Sequence, residues 1–150
     1  MVTDMAANSR FAVAVHILAA LAYLGGTHTS AELARSVRTN PVVVRRIMAR
    51  LARAKLVTAQ SGAAGGFTLA RNARDITLLD VQRALDEGGL FAVHQNRREP
   101  GCPVSCHLKS VLSDVFQTAE DAAGSELAKV RLSNVLDRIR RLDARKVRTS

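Results

Sequence analysis

Apolar residues recur at helical spacing near the start of the chain, where Phe11, Val15, Leu18, Ala19 and Ala22 follow Ser9 and Gly25-Gly26 breaks the pattern. The spacing predicts a first helix capped by Ser9, ended at the glycine pair and supplying core. Thr29-Ser30-Ala31-Glu32 is a capping box, whose hydroxyl and carboxylate satisfy free amides at the start of a short helix from about residue 30 to 35 or 37. Asn40-Pro41 predicts another start, because asparagine accepts from free helix amides and proline at the first position forfeits no hydrogen bond. From there to about Ala54, Val44, Ile47, Met48 and Leu51 fall at i, i+3, i+4 and i+7, leaving Val42, Arg45, Arg46, Ala49, Arg50 and Arg53 on other faces. Two short helices with a tight turn between them read as a helix-turn-helix. Small Ala34 permits a close crossing, Val37, Val44 and Ile47 fill the crevice, and Arg38 takes the turn position where glycine is common.

Residues 56–60 and 67–69 alternate like short strands, and Ser61-Gly62-Ala63-Ala64-Gly65-Gly66 between them supplies a glycine-permitted turn. A hairpin directly after a recognition helix is a wing. The glycine loop is no phosphate cradle, since no Lys-Ser/Thr follows it and it opens no helix. Thr77 then caps a helix over 78–85, and a loop from Gly88-Gly89 through Pro100-Gly101 leads to Cys102-Pro103-Val104-Ser105-Cys106-His107. Beyond it Leu108, Val111, Leu112, Val115, Phe116, Ala119, Ala122 and Ala123 form a long apolar stripe. So short a chain has little surface to cover it, so the expected cover is the same helix of a second subunit, the alternative being burial within the chain. A last short helix from Ser133, carrying Leu136, Ile139 and Leu142, is expected to pack back onto the domain. The expected class is therefore mainly α with a small β-hairpin wing, divided into a winged helix-turn-helix (1–86), a sensor loop (87–107) and dimerisation helices (108–150).

Charge sharpens this picture. The 150 residues carry a formal charge of +9, and between Leu33 and Arg74 there is no acidic residue while nine basic ones occur. That block equals the whole excess and is the footprint of a polyanion binder, or of a solvated basic face. With no Trp, one Tyr and four Phe there is little to stack on splayed bases, which favours a duplex over single strands or RNA loops. The apolar run over 11–24 has His16 inside it and is shorter than the roughly 20 residues of a bilayer span. Asp4 precedes it and no basic leader is visible, so neither membrane span nor signal peptide is expected and the cytoplasm is the default location.

In combination, Ser9-Arg10-Phe11-Ala12-Val13-Ala14-Val15, Thr29-Ser30-x-Glu32-Leu33-Ala34, Asn40-Pro41-Val42-Val43-Val44-Arg45-Arg46, Gly65-Gly66-Phe67-x-Leu69 and Ile76-Thr77-Leu78-Leu79-Asp80-Val81 resemble the Rrf-two (Rrf2) family of bacterial winged-helix regulators, the relatives of IscR, NsrR and CymR. The resemblance covers nearly the whole chain. It implies a homodimeric transcription factor, usually a repressor, whose DNA affinity responds to an iron-sulfur cluster, a thiol state or a partner protein.

A recognition helix sets its first turns against base edges and later basic residues against phosphates. Thr39, Asn40, Val42, Val43 and Arg46 are the groove candidates, with Arg46 suited to guanine and the valines to thymine methyls. Asn40 is expected to act first as a helix cap. Arg45, Arg50 and Arg53 are assigned to phosphates or solvent, and Ser61 and Gly62 to the wing tip. In cluster-bearing relatives the wing often carries an arginine for the minor groove; here Ser61 and Ala63-Ala64 stand in its place, which speaks against such an insertion. A palindromic operator with half-sites about one turn apart would match a twofold dimer.

The cysteines sit just before the predicted dimer helix, beside His107 and Lys109, where thiols are reactive. Three chemistries are open. Cys102 and Cys106 with His94 or His107 could hold an iron-sulfur cluster, although the cluster-binding relatives have three cysteines spaced by five and this chain has two spaced by three. The pair could instead form a reversible disulfide, or be two small buried residues without a sensing role. Zinc lacks paired cysteine motifs and an obvious fourth ligand. An enzyme is disfavoured: there is no phosphate loop, nucleophile elbow or helix-borne metal motif, and Asp80, Asp86 and Glu87 read as helix-end acids. His16 and His28 read as core and surface histidines. A thiol oxidoreductase lacks the Cys-x-x-Cys pattern. The remaining alternatives are a nonspecific nucleoid-type binder, which charge alone supports, and a winged helix used for protein docking.

Overall fold

The computed structural model describes residues 7–85, 89 and 91–147. Its elements run α1 (Ala7–Leu24), α2 (Ser30–Val37), α3 (Pro41–Arg53), β1 (Val57–Gln60), β2 (Gly66–Leu69), α4 (Leu78–Leu85), α5 (Pro103–Lys129) and α6 (Leu132–Val147), with a single 3-10 turn at Ala73–Asp75. The architecture is a mainly helical winged helix with a two-stranded hairpin and a long α5. Asp4, Asp86, Glu87 and Gly88 of the sequence reading lie outside the described residues.

The predicted starts of α2, α3 and α4 rest on the expected residues. Thr29 Oγ1 accepts from the Glu32 amide at 3.2 Å while Glu32 Oε2 accepts from the Thr29 amide at 2.7 Å. The turn after α2 is left-handed at Arg38 (φ 59°, ψ 49°), whose N–H closes onto the Ala34 and Arg35 carbonyls. Asn40 Oδ1 accepts from the Val42 amide at 2.8 Å and Pro41 opens α3. Thr77 and Asp80 form a second reciprocal cap on α4, at 2.9 and 3.1 Å.

α1 differs from expectation at both ends of the argument. Its backbone is already helical at Ala7, a strong helix former, so Ser9 lies inside the first turns and is not the cap. Its deepest face is Ala14, Ile17, Leu18 and Leu21, whereas Phe11, Val15 and Ala22 are only half-buried. Almost every position from 11 to 24 is apolar, so the pattern offers no contrast from which to choose a face. His16 is exposed, its Nε2 lying 3.0 Å from Ser36 Oγ, and is not a core residue.

One core joins these elements: Ile17 and Leu18 of α1, Leu33 of α2, Val44, Met48 and Leu51 of α3, Leu56, Ile76, Val81 of α4, and Leu132 and Leu136 of α6. The first turn of α6 is pinned from below, since the Leu132 amide donates to the Ile76 carbonyl at 2.9 Å. Ile139 and Leu142, expected to pack back as well, are 43% and 57% exposed because the helix runs on beyond that anchored turn. α5 contributes no buried residue. Leu112, Phe116 and Ala123 are half-buried, and Val104, Leu108, Val111 and Val115 lie open.

In the wing, β1 pairs antiparallel with β2 in the register Val57↔Leu69 to Gln60↔Gly66. His28 adds a third strand position by exchanging two backbone hydrogen bonds with Phe67, at 3.1 and 2.8 Å. Gly66 makes this approach feasible: a Cβ there would sit 2.6 Å from the His28 carbonyl oxygen.

Candidate nucleic-acid interface

The buried stripe of α3 fixes which side faces out. Val42, Arg45, Arg46, Ala49 and Arg53 follow one another at i, i+3, i+4, i+7 and i+11 and are all exposed, Val42 by 43%. Three guanidinium groups thus flank a small Ala49 on one helical face, in a segment without a carboxylate. Such a face can lie close to a polyanion surface, with apolar Val42 and the forked donors of Arg45 and Arg46 towards the helix start. Thr39 is half-buried beside it.

Two predicted members turn elsewhere. Val43 packs against the core, one turn before buried Ile47 on the same side of the helix. Arg50 is half-buried and its Nη1 donates to the Leu85 carbonyl at 2.5 Å. Carbonyls in the last turn of a helix lack intrahelical partners and carry partial negative charge, so a cation next to the end of α4 is held there and not sent to solvent. Asn40 serves as the cap, as its position before proline suggested. Arg38 and Lys55, absent from the predicted set, bracket α3, and both are exposed with left-handed backbones, at φ 59° and 57°. Arg38 was visible as the odd residue of the turn; Lys55 had no signal, because no glycine marks the end of α3.

Ser61 and Gly62 lie exposed at the tip of the wing. Between Leu56 and Ala70 there is no charged residue, so the wing offers hydrogen-bonding and shape but no cation. Below it, the carboxyl of Glu32 is held below its ordinary range by the Thr29 amide and hydroxyl, with smaller help from His28 and Arg35. Burial pushes Asp80 up, but the Thr77 amide and hydroxyl, with Arg71 and Arg83, outweigh it and hold Asp80 low as well.

The thiol segment is ordered around the start of α5. Cys102 is the N-cap, its sulfur accepting from the Ser105 amide at 3.4 Å, and the Cys106 thiol donates to the Glu99 carbonyl at 3.6 Å. Ser105 Oγ in turn accepts from the Glu99 amide at 2.8 Å. Both cysteines are free and half-buried, one turn apart, while His94 and His107 are exposed. The loop ahead of them runs back along α5: Phe91 stacks on Phe116 at 5.2 Å, its amide donates to Glu120 at 3.3 Å, and Lys109 donates to Gln95. Among the described residues no three His, Cys, Asp or Glu side chains come together where they could hold a metal. Two cysteine sulfurs with no described third donor beside them fall short, within one chain, of the ligand set of an iron-sulfur cluster or a zinc ion. No described helix is long and apolar enough to cross a membrane.

The sequence pattern of the Rrf2 family, described as iron-dependent transcriptional regulators, matches residues 7–138. YwnA of Bacillus subtilis (strain 168), named as an HTH-type transcriptional regulator, is 40% identical over 134 residues, covering 88% of this chain and 98% of its own. A crystal structure described as that of a DNA-binding protein is 35% identical, with a TM-score of 0.66, and covers 85% of this chain and 98% of its own. CymR, the global cysteine regulator of B. subtilis, shares the fold at 22% identity with a TM-score of 0.61, covering 91% of this chain and 98% of its own.

Proposed function

The chain belongs to the Rrf2 family and is a transcriptional regulator, not an enzyme; from that premise we propose that it is a cytoplasmic homodimeric repressor that reads a palindromic operator and releases it when its thiol pair is oxidised. The observation that carries the DNA reading is the outward face of α3, where Val42, Arg45, Arg46 and Arg53 stand exposed opposite a fully buried stripe. Val42 and Arg46, with Thr39 beside them, meet base edges in the major groove; Arg45, Arg53, Arg38 and Lys55 hold the phosphates on either side. Ser61 and Gly62 follow the backbone from the wing.

The unpartnered face of α5 supports the dimer. Val104, Leu108, Val111 and Val115 lie exposed along one long helix, and a second copy of that helix would cover them and set two recognition helices about one DNA turn apart. In this reading residues 1–86 bind DNA, 87–107 sense and 108–150 pair the subunits. Cys102 and Cys106 are the sensing pair, because joining them in a disulfide, with two electrons and two protons passing to an external peroxide that is reduced to water or alcohol, withdraws the sulfur that caps α5 and the thiol that holds the Glu99 turn. The family's description names iron, but this chain's described side chains do not gather a ligand set, so no step runs through a metal.

The decisive experiment is a footprint on a palindrome selected from random sequence, in excess competitor DNA, with reduced and mildly oxidised protein. Protection of one palindrome, lost in Arg46→Ala and weakened by oxidation, is expected. Equal affinity for all duplexes would instead favour a nonspecific nucleoid-type binder.

A further inference from the structure

Residues 91–101 form no helix or strand, and none of them is buried. They nevertheless run alongside α5, fastened to it at both ends and in the middle. At the first end Phe91 stacks on Phe116 with ring centroids 5.2 Å apart, and its amide donates to Glu120 Oε1 at 3.3 Å. Gly89, at φ 91°, brings the backbone so close to that carboxylate that a Cβ would collide with it. In the middle, Lys109 Nζ donates to Gln95 Oε1 at 3.3 Å. At the far end the Glu99 amide donates to Ser105 Oγ, and the Cys106 thiol donates to the Glu99 and Pro100 carbonyls at 3.6 and 4.0 Å. With no core residue of its own, such a segment opens at little cost, so a few contacts decide how long it stays closed.

On the reading of the two cysteines as a sensing pair, we propose that residues 91–101 are a strap closed along α5 in the reduced chain, latched by the Cys106 thiol and released when Cys106 joins Cys102. The S–S bond forms as both S–H bonds break, and two electrons and two protons pass to a peroxide, whose O–O bond breaks; hydrogen peroxide gives two waters. Cys106 then has no proton to donate, and its sulfur turns from the strap to Cys102, one helical turn earlier. The Glu99 carbonyl keeps only the Cys102 amide, which lies before α5, and a single bond from the Glu99 amide to Ser105 still holds that end. The released strap uncovers Phe116. That ring adjoins Val115 of the face assigned to the second subunit, so the thiol state reaches the flank of the subunit contact.

The test is limited proteolysis of the full chain, because the strap carries Arg97 and Arg98, both exposed trypsin sites. Brief digestion in native buffer is compared between reduced protein and protein oxidised with hydrogen peroxide, the bridge being verified by mass as a loss of two hydrogens. Cleavage at the two arginines should be about fivefold faster in the bridged form, following the population of the open strap, with cleavage at Lys109 inside α5 unchanged. Cys102→Ser, which cannot close the bridge, should show no response to peroxide. Gly89→Ala, which pushes the strap off Glu120, should be cleaved faster while still reduced. Equal rates in the reduced and bridged forms overturn the proposal, as does an equal rise at Lys109, which would mean that α5 itself unravels. Operator affinity on the same samples separates the readings: faster cleavage with unchanged operator binding refutes only the redox-controlled repressor, operator release without faster cleavage refutes only the strap, and a pair that peroxide leaves reduced refutes both.

Discussion

Arg50 of α3 donates from Nη1 to the carbonyl oxygen of Leu85, the last residue of α4, at 2.5 Å. The back of α3 is thereby fastened to the point where the chain departs for the thiol segment. Removing this charge-assisted bond in Arg50→Ala should lower stability by about 1.5 to 3 kcal/mol. Urea unfolding measures the loss, and the salt dependence of DNA binding should keep its slope, because Arg50 is not assigned to a phosphate. A reduced slope would return it to the interface.

At the other end of the same helix, Asn40→Ala deletes the cap on the Val42 amide. The expected cost is about 0.5 to 2 kcal/mol, read from the urea midpoint, with Asn40→Asp close to the parent. A neutral Asn40→Ala combined with a change in base preference would show that this side chain reads DNA instead.

Arg38 and Lys55 hold left-handed backbones that glycine adopts without strain. Arg38→Gly and Lys55→Gly should therefore leave stability unchanged or raise it by up to about 1 kcal/mol each. On the proposed interface each should also weaken DNA binding for all sequences and flatten the plot of log affinity against log salt by about 0.9. Unaltered slopes would remove both from the phosphate contacts.

Both capping carboxylates, Glu32 and Asp80, are held below their ordinary range in the folded chain. A depressed folded value means that the unfolded state takes up protons first, so their contribution is complete above the unfolded value and is lost as pH falls through the folded one. Stability should thus decline below about pH 4. Asp80→Asn, scanned by thermal unfolding, should be less stable at neutral pH and show a shallower acid decline.

Val111 is 57% exposed on α5, so Val111→Asp should leave the monomer folded by circular dichroism. Sedimentation should then show a shift from dimer to monomer, with affinity for a full palindrome falling towards that for a half-site. A variant that stays dimeric would place the subunit contact elsewhere.

Much of this structure was legible because its local signals agree. The Thr29-Glu32 box, the Thr77 cap, Asn40-Pro41 and the Val44 to Leu51 stripe each join a composition cue to a stereochemical need, and each lies where it is expected, whereas Asp80, expected as an ordinary helix-end acid, closes a box with Thr77. The buried face of α1 was not legible, because an almost uniformly apolar helix has no polar side to orient it. Nor was the inward turn of Arg50, since the carbonyl it satisfies belongs to a residue 35 positions away. The strand position at His28 was hidden for the same reason: one residue paired across a long loop leaves no alternation in sequence. The outward face of α3 followed from its buried one, so Arg45, Arg46 and Arg53 are expected outside the stripe and lie exposed there, while Lys55 lies past the end of that stripe.

The backbone pairing of His28 with Phe67 has a mechanical consequence. It ties the hairpin to the segment that leads into α2, so the wing is sewn to the front of the helix-turn-helix as well as to its end, and the shared core completes the enclosure. A unit closed in this way travels as a block. In the proposed dimer a signal acting on DNA affinity would have little purchase on its internal shape; its leverage would lie in how two such blocks are spaced and angled across the duplex, a geometric tolerance that a helical pitch makes unforgiving.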